Sequence, residues 1–126
     1  MELETIFNVI TTKKVKESVQ FYTSIFNFEI VANLDWYVHL KHESSRMELA
    51  FMQPNHPSQG PIFKNELNAK GLILSFQVKD AKKEYNSMKN KNIDIEFDLK
   101  EEEWGQLHFG ILDPNNISID IVQHLE

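Results

Sequence analysis

The chain of 126 residues contains no cysteine. That excludes disulfide staples, thiolate metal sites and a cysteine nucleophile, and it fits a reducing compartment. No apolar run approaches the length of a signal-peptide core or a membrane span, so the expectation is a soluble, cytoplasmic protein with no membrane partner. Positive charge is in deficit: 13 Lys and Arg stand against 19 Asp and Glu, a formal net charge of −6. A chain so charged is repelled by a phosphate backbone, and no nucleic acid is expected as a partner. The sequence also lacks a Gly-rich phosphate loop, a Ser/His/Asp spacing and a paired-histidine zinc motif. Only four prolines occur, three of them between positions 53 and 61, which marks a loop or linker. The length suits one domain that buries roughly two-thirds of its extended surface without a staple.

What is present is alternation. Leu107, Phe109 and Ile111 alternate with Gln106, His108 and Gly110, and Ile117, Ile119 and Ile121 alternate with Ser118, Asp120 and Val122. Two strands with one aliphatic and one polar face follow, joined by the turn residues Asp113-Pro-Asn-Asn. Strands are also expected over residues 3–11, from residue 28 to about 31, and over 35–41, 46–52, 72–78 and 93–99. Val15, Val19, Tyr22 and Phe26 form one stripe of a helix, with Thr12 a candidate cap and Asn27 a left-handed stop. A second helix is capped by Asp80, carries Ala81, Tyr85 and Met88 on its stripe, and ends near 90–92. One helical turn is expected within 63–68.

The order is strand, helix and three strands, twice. Lys16-Glu17-Ser18 with Tyr22 answers Lys79-Asp80-Ala81 with Tyr85, and Trp36 with His39 answers Trp104 with His108. Glu48 and Asp120 occupy matching places on the last strand of each half. This is an internal duplication of about 60 residues. It divides the chain into module one at about 1–53, a linker at about 54–70 and module two at about 71–126, within a single domain spanning 1–126.

The segments Ser18-Val-Gln-Phe21-Tyr22, Ile25-Phe-Asn-Phe28-Glu-Ile-Val31, Trp104-Gly-Gln and Asp113-Pro114-Asn, with Ile119-Asp120, give the chain a resemblance to the vicinal oxygen chelate superfamily. That superfamily takes in glyoxalase I, extradiol dioxygenases and bleomycin-resistance proteins. The resemblance implies an α+β fold of two βαβββ modules forming a curved, open, eight-stranded barrel-like sheet, helices outside, with the ligand site on the concave face between modules. The family's metal enzymes place ligands at four inward positions, which carry over onto Phe7, Glu48, Ile73 and Asp120. Phenyl and isoleucyl groups cannot donate to a cation, so neither a metal nor another cofactor is assigned.

Strand phase places Tyr37, His39, Glu48, Met52, Ser75, Gln77, Gln106, His108 and Asp120 on the inward face. Aromatic, amide and imidazole groups so placed suit a pocket that stacks a flat ligand and fixes it with a few hydrogen bonds. Trp104 at a strand start and His56 in the proline-rich loop join the candidate substrate-binding set; the plainer readings are rim packing and an exposed loop histidine. His39 and His108 also admit an ordinary role, bonded across strands. The run Glu101-Glu-Glu103 reads as a solvated turn. The leading expectation is metal-independent binding, or sequestration, of a small aromatic or amphipathic molecule by a homodimer, with no catalytic residue assigned. The alternative is a metal-dependent lyase, isomerase or dioxygenase using Glu48 and Asp120, and a third reading is an interaction module.

Overall fold

Left-handed asparagines punctuate both halves in the same way. Asn27 (φ 60°) and Asn92 (φ 58°) each follow a helix and turn the chain back, a conformation asparagine tolerates better than other side chains with a Cβ. In the computed structural model, which describes residues 1–126, the elements are β1 (Asn8–Thr11), α1 (Val15–Ile25), β2 (Phe28–Leu34), β3 (Tyr37–His42), β4 (Glu48–Met52), β5 (Ile73–Gln77), α2 (Ala81–Asn90), β6 (Phe97–Glu102), β7 (Gln106–Leu112) and β8 (Ser118–His124). They fall into two compact units, Met1–Asn68 and Ala69–Glu126. Each unit is the expected βαβββ module, with its own four-stranded mixed sheet that is not closed into a barrel. No helix is long and apolar enough to cross a membrane.

In the first unit the strand order is β1-β4-β3-β2, with β1 parallel to β4 and the other pairs antiparallel. Tyr22 of α1 is fully buried and packs its ring against Phe28 and Phe51, so Ile10, Val38, Leu40, Leu49 and Phe51 form the helix side of the sheet. The second unit repeats this as β5-β8-β7-β6, with Tyr85 of α2 edge-on to the buried Phe109 and with Ile111, Ile119 and Ile121 beside it. Period-two alternation then turns the intervening residues to the face away from the helix.

The structure moves several boundaries. The N-cap position of α1 is Lys14, not Thr12, whose hydroxyl accepts the Lys14 N–H at 2.9 Å. Asp80 does cap α2, accepting the Lys83 N–H at 3.0 Å. The short helical turn lies at Pro61–Phe63, where proline presets the first φ, and not within 63–68. The last expected strand before the hairpin shifts from 93–99 to Phe97–Glu102. Residues 54–68 pack with the first unit, held by Leu67 N–H to Thr11 O at 2.9 Å and Lys13 N–H to Glu66 at 3.0 Å.

Each sheet carries an irregularity in its outer pair, between Ile30 and Ala32 in β2 and between Phe97 and Lys100 in β6. A bulge of this kind adds one residue to a strand and exchanges its two faces beyond that point. Thus Phe97 shares a face with Gly110, and after the bulge Lys100 and Glu102, not their odd-numbered neighbours, share it with His108 and Gln106.

Candidate functional site

On the first sheet, the face turned from α1 brings together Tyr37, His39, Glu48 and Met52. Tyr37 pairs with Met52 across β3 and β4, and His39 pairs with Ala50. The side chains form a hydrogen-bonded chain: the Tyr37 hydroxyl lies 2.9 Å from His39 Nδ1, and His39 Nε2 lies 2.7 Å from Glu48 Oε1. His39 and Glu48 are 13% and 20% exposed, enough burial to make the order of donors and acceptors matter. A carboxylate only accepts, so Nε2 carries the proton toward Glu48; Nδ1 can then accept from the phenol. One ring proton satisfies both bonds. Burial, and then the charge of Glu48, push the Tyr37 phenol above its usual 10.0, which keeps the hydroxyl protonated. Phe7 closes one flank, its ring edge-on to His39 at 4.6 Å.

The second sheet holds the duplicated histidine differently. His108 Nδ1 is 2.7 Å from Asp120 Oδ1, and His108 Nε2 is 3.0 Å from Glu102 Oε2. Two carboxylates face one ring, and a neutral imidazole has a single N–H, so both bonds are made at full strength only by the imidazolium. Burial acts to lower the His108 pKa, but the hydrogen bonds to Glu102 and Asp120 and their charges outweigh it, and the net shift is upward. Glu102 is correspondingly lowered by its bonds to His108 and then to Lys100, whose ammonium is 3.0 Å away.

A pH dependence follows. His108 contributes stability that is fully present below its ordinary 6.5 and disappears as pH rises through the raised folded value. Glu102 contributes stability present above its ordinary 4.5 and lost as pH falls through the lowered folded value. The melting-temperature gap between the wild type and His108→Gln is therefore expected to be widest between pH 4.5 and 6.5 and to narrow on the alkaline side. A gap that stays constant up to about pH 9 would contradict the imidazolium assignment.

Around this cluster, Gln106 Oε1 accepts the Trp104 Nε1–H at 2.9 Å, although Trp104 is 70% exposed. Ser75 stands opposite Asp120 and Gln77 opposite Val122, both exposed on the same face. Phe97 lies 5.1 Å from the His108 ring, and it can do so because Gly110 has no side chain: a Cβ there would come within 3.1 Å of Phe97 Cβ. His56 is tied to its own loop. Its ring stacks on Trp36 at 3.9 Å, its Nδ1 meets Ser58 Oγ at 2.7 Å, and Gln53 N–H anchors the loop to Trp36 O at 2.8 Å.

Glu102 is the functional side chain that sequence reading misses. It is not part of a solvated turn: its side chain is only 10% exposed while Glu101 and Glu103 are exposed. The signal lay in the hairpin, since Trp104-Gly105 reverses the chain and Glu102 then pairs with Gln106. Gly105 makes the reversal possible at φ +89°, where a Cβ would also crowd Leu125 O at 3.3 Å.

The family model described as the Glyoxalase/Bleomycin resistance protein/Dioxygenase superfamily matches residues 6–121. The chain belongs to this superfamily. No curated protein matches it. Among solved structures, this superfamily member is similar to a lactoylglutathione lyase from Agrobacterium tumefaciens, at 18% identity and TM-score 0.77, covering 98% of this chain and 96% of that one. It is similar to a bleomycin resistance determinant encoded on the transposon Tn5, at 17% identity and TM-score 0.68, covering 97% and 98%. An antibiotic binding protein, TnmS3, from a Streptomyces species aligns at 14% identity and TM-score 0.71, covering 98% of each chain. At these identities the likeness is one of fold.

Of the four positions onto which the superfamily's metal ligands carry over, two hold carboxylates, Glu48 and Asp120, and two hold the apolar Phe7 and Ile73. Glu48 Oε1 and Asp120 Oδ1 are each engaged by a histidine of their own module. Phe7 and Ile73 have no donor atom, and Ile73 is 62% exposed. No group of three His, Cys, Asp or Glu side chains is placed to hold a metal ion. Both carboxylates accept hydrogen bonds from imidazole nitrogens.

Proposed function

We propose that this superfamily member is a cytoplasmic, metal-independent binder of a small aromatic or amphipathic molecule, held against the helix-free face of a module, where Tyr37, His39, Glu48 and Met52 stand in the first and Gln106, His108 and Asp120 in the second, with Gln77, Trp104 and His56 at the margins. One observation carries the reading: Glu48 and Asp120 are both bonded by histidines at 2.7 Å. Such prepaired polar groups, set beside apolar and aromatic ones, orient a ligand without a catalyst's open coordination positions. The fold is also that of structures named for bleomycin resistance and for antibiotic binding, which supports sequestration as the mode of action. A homodimer accompanies this reading, supported by Ile30, Val31 and Leu34, which leave the edge strand β2 about half exposed and apolar. Sedimentation would report it directly.

The test is elemental analysis of the purified protein, with thermal unfolding followed as Mn, Ni, Zn or Fe(II) is added and then chelated, and as flat aromatic compounds are screened. No stoichiometric metal and a metal-indifferent midpoint are expected, together with an aromatic ligand that stabilises by about 2.7 kcal/mol when present at a hundredfold its Kd. A stoichiometric metal that raises the midpoint would overturn the reading and move the chain to the lyase, isomerase or dioxygenase class.

A further inference from the structure

We propose that Tyr37 meets its ligand as a hydrogen-bond acceptor, so that the molecule bound at the first module carries a hydroxyl or N–H donor on a flat apolar body. The inference rests on the binding reading and narrows its ligand class. The direction of the chain decides it. Glu48 can only accept, so the 2.7 Å contact requires a proton on His39 Nε2. With a single ring proton, the Nδ1 lone pair takes the Tyr37 hydroxyl proton across 2.9 Å. A phenol has one proton, and this one points inward. What Tyr37 leaves free is oxygen lone pair, which a ligand donor can use and a ligand ether or carbonyl cannot.

The surroundings of Tyr37 set the rest of the ligand. Its neighbours across the sheet are Leu34 and Met52, and the Trp36 ring lies 5.9 Å away, tilted by 59°. Leu34 is 54% exposed, while Tyr37 and Met52 are intermediate, so Tyr37 stands in a partly exposed apolar patch. A donor group reaching it would bring the rest of its molecule against Leu34, Met52 and Trp36, which favours a ring over a charged or extended chain. The second module has no equivalent: Gln106 stands two residues before His108 as Tyr37 does before His39, and its Oε1 accepts from Trp104. The acceptor phenol therefore belongs to the first module alone.

The experiment is tryptophan-fluorescence titration of the full chain with 2-naphthol and with 2-methoxynaphthalene, which share a ring system and differ in the donor. The wild type is expected to bind the naphthol about tenfold more tightly. Tyr37→Phe should abolish the difference between the two compounds, and His39→Leu, by freeing the phenol proton, should shift the preference toward the ether. Equal affinities in the wild type, or a preference that survives Tyr37→Phe, would overturn the inference and leave the binding reading standing. Failure of both compounds to bind would count against both.

Discussion

Phe109→Ala is expected to destabilise the protein by about 3–5 kcal/mol, the usual cost of removing a buried phenyl ring. Phe109 is fully buried on β7, paired with Ile121 of β8 and edge-on to Tyr85 at 5.3 Å. Its loss opens a cavity where α2 rests on the sheet, and the backbone of β7, bonded on both sides, cannot move in to fill it. Urea unfolding, with the slope compared between variants, measures the effect. A loss under about 1 kcal/mol would mean that the helix collapses onto the sheet and that the core is less fixed than its burial suggests. Substitution at Gln106, on the same strand, is expected to cost far less, because it lies on the opposite, half-exposed face.

Asp113→Ala is expected to cost about 3 kcal/mol, from the loss of hydrogen bonds to a charged acceptor and the stranding of donors. Asp113 is 4% exposed at the head of the β7–β8 turn. Its Oδ1 accepts the N–H groups of Asn115 at 2.7 Å and Ile117 at 2.9 Å, and Oδ2 receives the Asn115 side chain at 3.3 Å. Alanine leaves the Ile117 N–H buried without that acceptor, so the full desolvation cost is felt. Asp113→Asn keeps an oxygen for the backbone donors and should recover most of the loss. Thermal melts of the two variants separate these cases; equal melting points would show that the aspartate acts through its charge. Because the turn fixes the register of β7 on β8, the alanine variant should also loosen the contact between His108 and Asp120.

The sequence made the helices and the β7–β8 hairpin legible because their signals are local: the Val15, Val19, Tyr22 and Phe26 stripe, the Asp80 cap and the left-handed Asn27 need no distant partner. Strand limits were less legible because the partner decides them. Ile93, Asp94, Ile95 and Glu96 alternate like a strand, but the ladder begins only at Phe97, opposite Gly110. Likewise β1 begins at Asn8 because β4 offers a parallel partner only from Glu48 onward, after Arg46 has turned the chain at φ 66°. The polar face of each sheet was readable from phase, and it places Tyr37, His39, Glu48, Gln106, His108 and Asp120 as alternation requires. Their pairing was not readable. Two histidines in equivalent positions look alike in sequence, and only the third partner, a phenol in one case and a glutamate in the other, tells them apart. Glu102 escaped because alternation counted from Phe97 would turn Glu101 and Glu103 to the site and Glu102 away.

The bulge in β6 acts as a phase shifter between the two ends of that strand. Three successive glutamates offer themselves to His108; the hairpin selects the middle one by setting Glu102 opposite Gln106, and one unpaired residue between Phe97 and Lys100 lets Phe97 share the same face. Loss of a single residue there would restore strict alternation. The charge, composition and core of the chain would hardly change, and the hairpin would still hold Glu102 opposite Gln106, yet Phe97 would turn away from Gly110 and leave the flank of the His108 ring. A duplicated fold with such a bulge in each half can thus re-deal its polar face by the length of one outer strand, with no substitution at any residue of the face itself.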